Sequence, residues 1–147
     1  MRPAALLLLL ALLPRGAHAQ APDAGPGVAL DVVVTGLREG GLVWVLLFDD
    51  ARSYPTKRDK ARSRIDVVPA QGEATVSFEG LPPGDYAIAV VHDENGNGKL
   101  DFGLFRIPKE GLGASRDARG VFGPPSFDDA KLHVEAGRLK VPIHLTY

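Results

Sequence analysis

The chain has 147 residues, 17 Lys+Arg against 18 Asp+Glu, no Cys, one Met and one Trp. A formal net charge of −1 offers no electrostatic case for nucleic acid or an anionic membrane as partner. The absence of Cys excludes disulfides, thiolate nucleophiles and Cys-ligated metal sites, while a hydrophobic fraction of 45% suffices for the core of one domain.

At the N-terminus, Met1-Arg2 carries positive charge and Ala4 to Leu13 is an unbroken apolar run of ten. Pro14-Arg15-Gly16 interrupts it and Ala17-His18-Ala19 supplies a small-x-small cleavage pattern. This is the layout of a secretory signal peptide over residues 1–19, too short for a membrane anchor, since a spanning helix needs about 20 apolar residues. Cleavage removes Arg2 and Arg15, leaving 15 basic against 18 acidic residues and a net charge of −3. The expected product is an exported protein, periplasmic or extracellular, soluble and without a membrane span. Residues 20–27 (QAPDAGPG) read as a flexible lead-in, and residues 28–147 as a single domain.

Val28 to Thr35 alternates Val28, Leu30, Val32 and Val34 against Ala29, Asp31, Val33 and Thr35, the period of a half-buried strand. Leu42 to Phe48 (LVWVLLF) is apolar on both faces, as is Tyr86 to Val91 (YAIAVV), and both therefore need cover on two sides. A short strand is expected near Arg64 to Val68, and Ala74 to Glu79 alternates cleanly. Ala130 to Glu135 and Leu139 to Thr146 alternate too; a hairpin turning near Ala136-Gly137 would set His133 opposite Lys140 or Val141. Pro142 has no N–H to donate, so the last strand is expected at an edge. With Gly- and Pro-containing turns between these segments, the pattern is an all-β fold, an Ig-like or prealbumin-like antiparallel β-sandwich of about seven strands. Asp93 to Asp129 interrupts it: 37 residues with seven Gly and three Pro that hold Phe102, Phe105, Phe122 and Phe127. So long a Gly/Pro/Phe-containing loop is expected to fold down as a lid on the sheet.

That loop opens with Asp93-Glu94-Asn95-Gly96-Asn97-Gly98-Lys99-Leu100-Asp101. Oxygen-bearing side chains at Asp93, Asn95, Asn97 and Asp101, with Gly98 at the sixth position, match the first part of an EF-hand calcium loop. Calcium takes six to eight oxygens, and the Lys99 carbonyl would add one. The match stops short of the twelfth position, where a bidentate Glu is replaced by Leu104. Asp93 and Asp101 bring two formal charges, with Glu94 or Glu110 as helpers, which places a structural calcium turn at the weak end, about 0.1–1 mM. A metal-free Asx/Gly turn explains the same residues.

The strings His92 to Asp101 (HDENGNGKLD), Ile107 to Gly111 (IPKEG) and Phe122 to Ala130 (FGPPSFDDA) resemble an uncharacterised, domain-of-unknown-function family of small exported bacterial proteins. The resemblance spans most of the mature chain and implies export and a compact β-domain, with no activity to carry over. Leu81-Pro82-Pro83-Gly84-Asp85-Tyr86 is similar, more generically, to the strand entry of prealbumin-like modules.

Catalytic patterns are sparse. His92 ends a buried strand beside the Asp/Asn loop, and a packed histidine needs no catalytic role. Ser115 and Ser126 lack the Gly-x-Ser-x-Gly setting of a nucleophile. Arg52, Lys57, Arg58, Lys60, Arg62 and Arg64 form a basic segment, read as a solvated loop, with an anion-binding face for an envelope polyanion as the functional alternative. The resulting expectation is a non-catalytic exported binding or accessory module of the cell envelope, with an envelope or extracellular ligand and a structural calcium turn at 93–101. Two other readings stand beside it: a hydrolase-like enzyme using His92 with Asp93 or Glu110, and an interaction domain pairing through the edge strand Leu139 to Thr146.

Overall fold

The computed structural model describes residues 27–147. The expected signal peptide and all of the lead-in except Gly27 lie outside the described residues. Two sheets carry the fold, as the alternation predicts. The first has the order β4-β1-β8, built from β1 (Val28–Thr35), β4 (Glu73–Leu81) and β8 (Arg138–His144). The second runs β3-β2-β5-β6, from β2 (Leu42–Phe48), β3 (Ser63–Val67), β5 (Gly84–Asp93) and β6 (Gly111–Ala114). An eighth strand, β7 (Leu132–Val134), also pairs with β5. Among the described residues no helix is long and apolar enough to cross a membrane.

The pairing is antiparallel throughout with one exception: β1 and β8 run parallel, from Ala29 facing Arg138 to Thr35 facing His144. The expected antiparallel sandwich holds at every pair but this one, whereas the expected hairpin near Ala136-Gly137 is corrected. β7 lies in the second sheet and β8 in the first, so the chain crosses between layers there. It enters β8 beside the start of β1, where Ala29 N–H donates to the Gly137 carbonyl at 2.9 Å. β8, with Pro142, lies at the edge of its sheet as expected.

Between the sheets, Val28, Leu30, Val32 and Val34 of β1 meet Val43, Val45 and Leu47 of β2 and Ile88 and Val90 of β5, all buried. Each such side chain contributes roughly 1.5–3 kcal/mol on leaving water. A β-bulge disturbs β4, where two steps of β1 (Val28 to Leu30) span three of β4 (Leu81 to Phe78). Gly80 takes the extra place at φ +65°, a conformation other residues adopt at a cost.

The outer face of the second sheet is buried as well, which accounts for the two-faced apolar runs of β2 and β5. Trp44, Leu46 and Phe48 sit there with Ala87, Ala89 and Val91. The cover has two sources. Tyr54, from the β2–β3 connection, packs edge-on against Phe48 (5.4 Å) and Phe127 (5.8 Å). The long loop adds Leu100, Ala118 and Phe127, with Ala130 just past its end. The lid expectation is thus correct only in part. Phe127 packs down, but Phe105 (92% exposed) and Phe122 (102%) project into solvent. The strand expected from Ala130 starts at Leu132, since Ser126 and Asp129 close a reciprocal cap on a one-turn helix, α1 (Phe127–Ala130).

Candidate functional site: an Asp/Asn loop beside an apolar cleft

At the end of β5 the strand alternation sends His92 and Asp93 to opposite sides, and both are buried. The Asp93 carboxylate accepts the N–H of Asn97 (3.1 Å) and of Gly98 (2.8 Å), which curls the loop around it. Asn95 Oδ1 accepts Asn97 N–H (3.0 Å), and Asn97 Oδ1 accepts Lys99 N–H (2.8 Å). Both amides donate Nδ2–H to one oxygen, Asp101 Oδ2, at 2.7 and 2.8 Å. Gly96 (φ +68°) and Gly98 (φ +76°) provide the left-handed turns this path requires. The fold therefore gathers Asp93, Asn95, Asn97 and Asp101, with Lys99 on the same turn. Among the described residues no three His, Asp or Glu side chains stand together as a preformed metal-ligand group.

The two helper acids part company. Glu94 pairs with Arg38 at 3.2 Å, away from the loop interior. Glu110 is buried immediately before β6 and accepts Asp101 N–H on Oε2 at 3.2 Å, while its Oε1 is enclosed without a hydrogen-bond partner. Burial, then the negative charges of Asp93 and Asp101, push its pKa up. Sequence spacing undervalued Glu110 because it lies nine residues past Asp101. The intervening chain doubles back, with Phe102 bridging Pro108 and Lys109 N–H donating to the Asp101 carbonyl at 3.0 Å.

Beside this loop a cleft of about 880 Å³ opens over Leu46, Ala89 and Val91 on the outer sheet face. Its walls carry the exposed side chains of Phe102, Phe105, Ile107, Val121 and Phe122. Arg58, Arg106 and Arg119 reach it with one acid, Asp117, which is itself engaged by His144 N–H at 2.8 Å. Tyr54 also lines it; its hydroxyl is buried without a partner, and burial raises its pKa. Nothing in the sequence pattern marked this cleft, since its lining is brought together from segments far apart in the chain.

A family model described as an uncharacterized protein conserved in bacteria (DUF2141) matches residues 32–142. The chain belongs to this family. No curated protein and no solved structure matches it. The DUF2141 span runs from within β1 into β8 and contains the Asp/Asn loop, Glu110 and nearly the whole lining of the cleft.

Within this DUF2141 chain the catalytic candidates are engaged elsewhere. His92 is fully buried; its Nε2 faces the Gly40 carbonyl at 2.7 Å and its Nδ1 the Tyr147 hydroxyl at 2.6 Å. A carbonyl only accepts, so Nε2 carries the proton and Nδ1 accepts from Tyr147. Ser115 is equally buried, donating to the Ala130 carbonyl (2.5 Å) and accepting Ile88 N–H (2.9 Å). Ser126 is the α1 cap. The basic segment is largely neutralised in place: Arg52 pairs with Asp50, Lys60 with Asp59, Arg62 with Asp49 and Arg64 with Asp66. Arg58 and Arg64 also stack over Trp44, 5.1 and 4.7 Å from its ring centre.

Proposed function

We propose that the protein is a non-catalytic, exported binding or accessory module of the cell envelope whose cleft takes an amphiphile with an apolar body and an anionic head. The observation that carries this reading is the cleft itself. Large apolar side chains stand in water around a concave floor, which is costly unless a ligand covers them. Arg58, Arg106 and Arg119 supply the positive rim. Export rests on the charged, apolar and small-residue order of residues 1–19.

The competing readings have less behind them. A hydrolase needs an accessible base, and His92 is sealed with both ring nitrogens committed. Pairing through the β8 edge is hindered where Asp117 accepts His144 N–H and where Thr146 exchanges hydrogen bonds with Leu112 (2.9 and 3.0 Å).

The test is fluorescence titration with 8-anilinonaphthalene-1-sulfonate and with a long-chain fatty acid as its competitor. Saturable binding, displacement by the fatty acid, and a loss of at least tenfold in affinity in the F105S/F122S double variant are expected, with its melting temperature unchanged. Absence of saturable binding to the wild type would sink the proposal.

A further inference from the structure

The loop lacks the acid that closes an EF-hand, yet the fold returns one to it from another element. Glu110 comes back to Asp101 across the Phe102–Pro108 bridge and places its carboxylate on the Asp101 N–H. Its second oxygen, Oε1, is sealed from water with no donor, in a residue only 4% exposed. Buried polar atoms without partners are few in folded proteins, and a carboxyl oxygen sealed in that position is satisfied by a positive partner. Neighbouring cations do not provide one: Arg38 is committed to Glu94, and Lys109 points its stem along Gly103.

We infer that Asp93, Asn95, Asn97, Asp101, the Lys99 carbonyl and Glu110 form a calcium site, in which Glu110 contributes from the start of β6 the carboxylate that the loop itself omits. All the donors are oxygens, which selects a hard cation. Their number suits calcium, which accepts six or more protein oxygens in irregular geometry, over magnesium, which keeps several of its waters. The amides of Asn95 and Asn97 already meet at Asp101 Oδ2, at 2.7 and 2.8 Å. Binding turns their oxygens, in place of Nδ2, toward the centre. The three acids are then drawn together around the ion, fastening the end of β5 to the start of β6. This inference does not depend on what the cleft binds, and its readout involves no amphiphile.

The experiment is thermal unfolding and calorimetric titration of the purified full chain in chelator, in 5 mM calcium chloride and in 5 mM magnesium chloride. With a dissociation constant of about 0.1 mM, calcium is expected to raise the melting temperature by roughly 5–10 °C, and magnesium by less than half as much. E110Q keeps the shape of the side chain and removes the charge. It is expected to melt at or above the wild-type temperature in chelator while losing at least tenfold in calcium affinity. D101N should also lose affinity, and E94Q should retain it. A wild type that responds equally to both ions, or to neither, overturns the inference. So does an E110Q variant with wild-type affinity.

Discussion

His133 shows how much one side chain depends on a partner that its own neighbourhood does not reveal. It projects outward from β7, as the alternation predicts, but the residue facing it is Asp85 of β5, and the two meet at 2.6 Å. Glu135 lies on the other ring nitrogen at 3.5 Å. Hydrogen bonding to Asp85 first, and to Glu135 second, raises the His133 pKa above its ordinary value. A raised folded-state pKa gives a contribution that is complete below the unfolded value, about 6.5, and is lost as pH rises through the folded value. The melting temperature of the wild type relative to H133Q should therefore fall as pH goes from about 6 to 8. A difference that stays constant over that range would contradict the pairing, and an imidazole titrating at or below 6.5 by NMR would contradict it directly. The effect is small because the site is exposed.

Among the elements, β5 carries the most, and its free flank is served by three partners in succession. β7 pairs with Gly84 to Tyr86, and β6 with Ala89 to His92. The gap between them is filled by a side chain: Ser115 Oγ accepts Ile88 N–H and donates its own O–H to the Ala130 carbonyl at the end of α1. S115A should leave a buried donor and a buried acceptor unpaired and lower unfolding free energy by about 1–3 kcal/mol, measured by urea denaturation. A loss under about 0.5 kcal/mol would show that the gap closes by itself. Strands β1, β4 and β8 are legible in the chain because one face of each meets the core and the other meets water, so burial writes period two into the residues. The role of Ser115 is not, because a hydroxyl that completes another strand's ladder leaves no periodic trace.

Across the whole molecule, the C-terminal residue ties distant parts together. Arg38 N–H donates to the Tyr147 hydroxyl at 3.0 Å, the hydroxyl donates to His92, and His92 donates to the Gly40 carbonyl. The Arg38 guanidinium lies 3.9 Å from the centre of the Tyr147 ring. The turn between β1 and β2, the end of β5 and the chain terminus are thus joined next to the Asp/Asn loop, and Gly41 packs so closely on Asp93 and Glu94 that a Cβ there would overlap their backbone. Y147F keeps the ring and removes the hydroxyl, leaving His92 Nδ1 buried without a donor. It should cost about 1–3 kcal/mol of stability with the fold retained, as judged by denaturation and circular dichroism. An unchanged midpoint would show that water replaces the hydroxyl.

Read as a string, the residues determined the all-β class, the two-faced character of β2 and β5, the edge position of β8 and the oxygen-rich turn at 93–101. These are consequences of local rules: side chains alternate along a strand, proline cannot donate, and short polar residues with glycine bend the chain. Only the tertiary structure decided that β7 and β8 lie in different sheets and that β8 runs parallel to β1. The same applies to Glu110, which answers the Asp/Asn loop where Glu94 does not, to the sealing of His92, and to the exposure of Phe105 and Phe122 around a cleft. Each of these depends on segments far apart in the chain reaching the same place, and the energy that selects such meetings comes from burial and hydrogen-bond satisfaction over the assembled core.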